Sequence, residues 1–377
     1  MNIKLTDLKW YGRNFEHESV RYFNYSLSGF EFCMTGKKAV ATILSDPNKQ
    51  KKTERGFIGV YVTEIKNAAG YKGCSFWENF PDEGLEPVRI ELTQQENECV
   101  LFESPVEKTV VIKVLKLSEC AFGMAGLKKL DLKGVLREPQ QPQSAQKTQQ
   151  LPKIEFIGDS ITCGYGIEGI WGKDTFCTKQ ERPDKAYAFL TARALGAEFQ
   201  LCSWSGIGIT SNYVDPATIF LPETRWLMPA CWPYTDKSGQ LRLKTEPEVW
   251  DASKFPPDIV VINLGTNDIS WVRGKEERRL DYVAGLRQLI EAVHRRSPDA
   301  KICCCLGIMG QELCDSVKEA CKLFSRDFPN VVIKTLKFDL QKESDGIGAD
   351  WHPSPTTHKK AAKKLTAALS PLCHCRA

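Results

Sequence analysis

Histidine is scarce in this chain, with five in 377 residues, so chemistry that needs an imidazole has few candidates. Neither sign of charge dominates. With 51 basic and 47 acidic residues the formal net charge is +4, which excludes the dense positive field of a nucleic-acid binder; no nucleic-acid partner is expected. Long apolar runs are also missing. Ile259 to Leu264 and Val110 to Val114 fall far short of the ~20 residues that cross a bilayer, so no membrane partner is expected either. Met1 to Lys9 alternates polar and apolar residues and lacks the apolar stretch of a secretory signal.

Cysteine, by contrast, is plentiful. Fifteen is an odd number, and Cys303, Cys304 and Cys305 stand consecutively in what reads as a buried strand, where they cannot bridge one another. Mostly free thiols acting as small apolar side chains are expected. That points to a reducing, cytoplasmic setting for the chain as it stands, or to a secreted one if a signal peptide has been removed.

The length suits two cores, since domains cluster near ~100 to 150 residues. Segment 138–152 reads EPQQPQSAQKTQQLP, a Pro/Gln-rich stretch without apolar periodicity, and serves as the boundary between residues 1–137 and 153–377. Before it, short runs alternate with period two: Phe30, Phe32 and Met34; Ile58, Val60 and Val62; Val110, Ile112 and Val114. Turn residues near Gly36 and Gly70 separate such runs, and the pattern is that of a β-sandwich. After it, apolar strands at 154–157, 198–202, 259–264, 302–306 and 331–336 interleave with helical periodicity. Leu280, Val283, Leu286, Ile290 and Val293 mark one helix face, and Leu313, Val317, Ala320 and Phe324 another. Ser354 can cap a last helix that starts at Pro355. Interleaved strands and helices imply a parallel sheet, whose chemistry collects at the carboxyl ends of its strands.

Those strand ends lead into a short set of polar blocks: Gly158-Asp159-Ser160, Ser205-Gly206, Gly265-Thr266-Asn267-Asp268, and Asp350-Trp351-His352-Pro353 before the last helix. Together they hold what acyl transfer requires: a hydroxyl, a base, a carboxylate and donors for an oxyanion. A serine at such a turn is ordinarily a helix cap, an asparagine there ordinarily an Asx-turn, and a D-x-H triplet ordinarily a surface turn. Elimination among the histidines favours His352. His17 lies in the β region, His294 on a charged helix end beside Arg295 and Arg296, His374 between two cysteines at the tail. His358 sits beside Lys359 and Lys360, where a solvated face is expected. Only His352 has a carboxylate two residues away, and in an extended segment Asp350 would share its side, orienting the ring toward Ser160. Asn267 and the backbone N–H groups of Ser160 and Gly206 would then form the oxyanion hole.

In that order the four blocks resemble the SGNH hydrolase superfamily. A β-rich N-terminal part joined to them, with Gly158-Asp159-Ser160-Ile161-Thr162 running on to Gly164-Tyr165-Gly166, resembles carbohydrate esterase family 2, the acetyl esterases of plant-wall polysaccharides. Ser203 to Gly208, Trp10 to Arg13 and Asp350 to Pro353 fit the same family. The resemblance implies a jelly-roll-like sandwich followed by a three-layer α/β domain. It implies O-deacetylation of xylan, glucomannan or their oligosaccharides through Ser160, His352 and Asp350, with no metal and no cofactor. Tyr213 lies where the family carries a substrate-contacting aromatic. Some members lack the aspartate and use a Ser–His dyad, whereas this sequence has Asp350. Two other readings remain: a related lipase or thioesterase acting on short acyl esters, and a carbohydrate-binding protein with an inert hydrolase domain. No long apolar lid is evident, against the first, and all of Ser160, His352, Asp350 and Asn267 are present, against the second.

Overall fold

The computed structural model describes residues 3–46, 51–66, 71–73, 75–80, 86–139, 151–215, 217 and 221–373. The chain divides into two compact units, Met1–Leu151 with Cys177–Lys179, and Pro152–Phe176 with Gln180–Ala377. Most of segment 138–152, together with Gly70 and His374, lies outside the described residues.

The first unit is antiparallel β. Its strands are β1 (Lys9–Tyr11), β2 (Phe15–His17), β3 (Val20–Tyr22), β4 (Gly29–Leu44), β5 (Phe57–Glu64), β6 (Val88–Glu91), β7 (Glu96–Lys116) and β8 (Gly126–Arg137). They pair as one eight-stranded sheet in the order β2-β3-β8-β4-β7-β5-β6, with β1 on β4. The period-two positions Phe30, Phe32, Met34, Ile58, Val60, Val110, Ile112 and Val114 all join one apolar cluster, as alternation on a half-buried sheet requires. Gly36 does not turn the chain. It lies inside β4 at a register shift, facing Gly134, and a Cβ there would come within 2.5 Å of the Lys133 carbonyl; a glycine within a strand marks a bulge.

The second unit carries a parallel sheet of β9 (Lys153–Gly158), β10 (Glu198–Ser203), β11 (Ile259–Asn263), β12 (Lys301–Leu306) and β13 (Ile333–Lys337). The order is β10-β9-β11-β12-β13, with every pair parallel. All five residues of β11 are buried, the continuous apolar pattern of a strand covered on both faces. The polar residues Glu155 and Gln200 sit opposite each other on β9 and β10, where Gln200 Nε2 donates to Glu155 Oε1 at 2.8 Å. Helices α1 (Ser160–Cys163), α2 (Tyr187–Ala194), α3 (Met228–Cys231), α4 (Lys237–Arg242), α5 (Thr266–Val272), α6 (Glu276–Arg296), α7 (Cys314–Asp327) and α8 (Pro355–Cys373) complete the unit. Helix α6 buries Tyr282, Val283, Leu286, Leu289, Ile290 and Val293. Leu280 stays exposed, because it lies about 120° around the helix from the centre of that stripe. Ser354 Oγ accepts the Thr357 N–H at 3.3 Å and caps α8 as expected. His358 departs from expectation. It is fully buried, in register with Ala361, Ala362, Leu365 and Leu369 on the α8 face that packs on α2, where its Nδ1 accepts the Tyr187 N–H at 3.1 Å.

Candidate active site

The sheet order, second strand beside first and then third, fourth and fifth, changes direction between β9 and β11, where open α/β sheets bind ligands. Ser160 follows β9 with one residue, Asp159, between them, as the first residue of α1. Asp159 caps that turn by accepting the Ile161 N–H at 3.0 Å, a role its side chain fills better than an apolar one. Glycine is required at 158, since a Cβ would stand 2.0 Å from Thr162 Oγ1. The turn is tight for that reason, and it leaves Ser160 at the strand end. Asp159 is fully buried, and loss of solvent pushes its carboxyl up to about 7 even though Ile161 and Thr266 donate to it; Asp268 nearby adds to the rise.

His352 Nε2 lies 2.8 Å from Ser160 Oγ. The other ring nitrogen, Nδ1, is 3.0 Å from the backbone carbonyl of Asp350, so Nδ1 is the protonated nitrogen and Nε2 the acceptor. Burial pushes the imidazole down to about 4, with the Asp350 carbonyl and carboxylate opposing the shift. The side chain of Asp350 does not hold the ring. Its Oδ2 accepts the hydroxyl of Tyr165 at 2.9 Å. The reason is local: Asp350 is not extended but left-handed, with φ 49° and ψ 41°, so the same-side argument for residues two apart does not apply, and the carbonyl faces the imidazole instead. Tyr165 was not singled out from the sequence as a site residue. It stacks on Phe176 at 3.5 Å and lies tilted by 40° against His352 at 4.4 Å between ring centroids.

The remaining blocks meet through the loop after β10. Gly206 has φ 77° with open space where a Cβ would be, so backbone conformation rather than crowding favours glycine there. Asn267, near the start of α5, donates from Nδ2 to the Ile207 carbonyl at 2.8 Å, which leaves its second N–H for a ligand. Asp268 straps the loop further. Its carboxylate accepts the N–H groups of Ile209, Thr210 and Ser211 and the Thr210 hydroxyl, at 2.7 to 3.2 Å. Full burial raises its carboxyl, and those donors lower it. Val214 N–H on Ser270 Oγ, at 3.0 Å, adds another stitch.

A serine aligned with an imidazole at a strand end, beside an asparagine and a glycine turn, has counterparts among known proteins. Residues 156–360 match the GDSL-like Lipase/Acylhydrolase family. A family two carbohydrate esterase from Clostridium thermocellum, solved in complex with cellohexaose, is 30% identical with TM-score 0.76, over 97% of this chain and 98% of that one. The chain belongs to the GDSL-like hydrolases and, among them, to carbohydrate esterase family 2. The cellulase/esterase CelE of Acetivibrio thermocellus is 40% identical over 223 residues, 58% of this chain and 25% of CelE, so the chain spans about a quarter of that relative. An acetylxylan esterase / glucomannan deacetylase of Cellvibrio japonicus is 27% identical over 75% of this chain and 73% of its own length.

The aromatic residues of this family 2 member divide by burial. Trp232 is core, with the Arg296 guanidinium over its face at 4.9 Å. Trp226 packs on Trp204 and under Lys237, which also covers Tyr234. Tyr213 is 58% exposed, and its N–H is bonded to the Gly206 carbonyl at 2.8 Å. The exposed Trp171 and Trp351 were missed as a pair, since nothing in the sequence spacing of residues so far apart brings them together.

Proposed function

We propose that the chain is a serine esterase that removes O-acetyl groups from plant-type polysaccharides such as xylan and glucomannan, by way of an acyl-enzyme. The observation that carries this reading is the 2.8 Å contact between His352 Nε2 and Ser160 Oγ, with Nδ1 already committed to a carbonyl. A neutral imidazole so held can only accept at Nε2. Ser160 Oγ attacks the acetyl carbonyl carbon while its proton passes to Nε2. The imidazolium stays bonded through Nδ1–H to Asp350, whose nearby carboxylate favours the charged ring. Negative charge on the former carbonyl oxygen takes hydrogen bonds from the N–H groups of Ser160 and Gly206 and from Asn267 Nδ2. Collapse of this intermediate breaks the bond to the sugar oxygen, which leaves with the proton from Nε2 as a free hydroxyl. Water then repeats the sequence on acetyl-Ser160 and releases acetate. The strapped loop after β10 supports this reading because it holds donors fixed before charge develops. The substrate class rests on the family and on the Cellvibrio deacetylase.

The test is acetate release from acetylated xylan and glucomannan oligosaccharides by the wild-type chain and by Ser160→Ala, with circular dichroism of both. The variant should keep its fold and lose turnover. An acyl series should fall off beyond propionyl; equal or better efficiency on medium-chain esters would move the assignment to a lipase-type acylhydrolase.

A further inference from the structure

Tyr165 joins the turn that carries the nucleophile to the turn that carries the base. Its backbone belongs to the first: the N–H groups of Gly164 and Tyr165 both bond the Ser160 carbonyl, Tyr165 at 3.1 Å, as a helix end requires of the donors that follow it. Its hydroxyl belongs to the second, donating to Asp350 Oδ2 at 2.9 Å, and Asp350 is the residue whose carbonyl meets His352 Nδ1. One side chain therefore runs from the main chain of Ser160 to the support of the imidazole. Its ring has little freedom in between. Phe176 lies nearly parallel on it, with 11° between the planes, and the tilted His352 ring leans against it.

The segment so held is strained. Asp350 and Trp351 are consecutive non-glycine residues with φ of 49° and 64°, a left-handed conformation that crowds the Cβ of an L-residue against its own backbone. Such a turn relaxes unless its surroundings hold it. Ala349 N–H bonds the Gly166 carbonyl at 2.9 Å, and Gly348 N–H the His352 carbonyl at 2.7 Å. Gln341 Nε2 holds the Trp351 carbonyl at 2.7 Å. These bonds fix the neighbours of residue 350, while the Tyr165 hydroxyl takes hold of residue 350 itself. Relaxation there would swing its carbonyl away from Nδ1. Folding has little use for the bond, since Asp350 is exposed and water serves a phenol and a carboxylate at the surface nearly as well. Its consequence is geometric.

We infer that Tyr165 is a positioning residue of the reaction, a strut from the Ser160 turn to Asp350 that keeps the strained carbonyl on His352 Nδ1 and thereby Nε2 on Ser160 Oγ; this rests on the esterase reading. The proton still passes from Oγ to Nε2, and the strut decides how much of the time the pair is aligned for it. Because it acts on the base rather than on the sugar, its loss is felt by any acetyl ester, large or small.

The experiment measures kcat and KM of wild type, Tyr165→Phe, Asp350→Ala and the double variant on acetylated xylohexaose and on 4-nitrophenyl acetate, with thermal melts of all four and Ser160→Ala alongside. Tyr165→Phe keeps the ring and its stacking and deletes only the hydroxyl. It should lower kcat roughly ten- to thirtyfold on both esters, the scale of loss that a displaced reacting group brings, with KM within about twofold of wild type and the melting temperature hardly moved. In the Asp350→Ala background the strut has nothing to hold, so Tyr165→Phe should cost less than about twofold more. Unchanged kcat in Tyr165→Phe, equal losses with and without the Asp350 side chain, a loss confined to KM on the oligosaccharide, or a loss matched by a fall in melting temperature would each overturn the strut and leave the esterase reading standing. Hydrolysis persisting in Ser160→Ala would instead remove that reading, and the pair that the strut aligns with it.

Discussion

A base that is neutral at rest is what burial makes of His352, and this fixes how activity depends on pH. The imidazole must be unprotonated to accept the Ser160 proton, and its pKa is pushed from 6.5 down to about 4. As pH falls, kcat/KM should hold its plateau through 6.5 and drop only near 4; a pH–rate profile with its acid limb at 6.5 or above would contradict this. Because the Asp350 carbonyl rather than its carboxylate touches Nδ1, Asp350→Asn should lower kcat only roughly tenfold, against the ~10⁴ seen where a carboxylate itself holds the ring. Its acid limb should move lower still, since the lost charge was raising the imidazole. His352→Ala should cost nearly as much as Ser160→Ala, measured on the same acetylated substrate. Asp159 gives the opposite dependence in stability. Its folded pKa, about 7, lies above the ordinary 3.8, so the folded state is favoured below 3.8 and loses that contribution as pH rises through 7. Asparagine caps as well as aspartate, so Asp159→Asn should gain about 2–4 kcal/mol on wild type between pH 4 and pH 8, read from denaturant melts at each pH. The residue types of this site were legible from four short blocks, because acyl transfer needs few kinds of group. The role of Asp350 was not, because a left-handed φ at a non-glycine position leaves no mark in the sequence.

Elements are held in place by groups that sequence patterns pass over. The loop after β10 is fastened to α5 by one carboxylate, Asp268, which accepts three backbone N–H groups and a hydroxyl. In the motif Gly265-Thr266-Asn267-Asp268 it reads as part of the block, yet its task is mechanical: it fixes the loop that carries Gly206 and, through Ile207, is bonded to Asn267. Asp268→Ala would strand those donors, each buried unsatisfied group costing ~1–3 kcal/mol. A loss of about 3 kcal/mol or more in chemical denaturation is expected, with kcat falling further than KM changes. Asn267→Ala, which removes one oxyanion donor, should lower kcat by ~10²–10³ without that loss of stability. Strands of the parallel sheet were readable to within two or three residues, the central ones because burial on both faces writes a continuous apolar run, whereas the edge strand β13, with no buried residue, shows the weakest pattern. His358 was misplaced for a different reason. Its lysine neighbours at 359 and 360 suggested solvent, but the 3.6-residue period puts it with Ala361, Ala362 and Leu365, and the period decides which face is buried.

Across the whole molecule the cysteine content ties composition to packing. Among the described residues thirteen cysteines are free, eleven of them buried, scattered through both units as small apolar side chains. Cys303, Cys304 and Cys305 are consecutive on β12, where opposite-pointing neighbours cannot bridge, as the sequence alone indicated. The architecture of the first unit was less legible. Alternation identifies strands and their inward faces, but which strands pair, and whether they form one sheet or two, depends on contacts far apart in sequence, such as β4 with β7. The thiols offer a test that spans both units. Burial raises Cys33 and Cys99 to about 11 and Cys231 and Cys303 to about 12, and only a thiolate reacts readily with an alkylating reagent. Brief iodoacetamide treatment of the folded chain at pH 8, read by peptide mass spectrometry, should therefore modify Cys177, which is partly exposed, modify Cys373 more slowly because burial raises its thiol too, and spare the eleven. The same treatment in denaturant should modify them all. Esterase turnover should survive the native labelling, because neither labelled thiol contacts Ser160 or His352. Extensive native modification of the β12 trio would mean that the sheet opens on the timescale of the reagent, and the reading of these cysteines as core would fail.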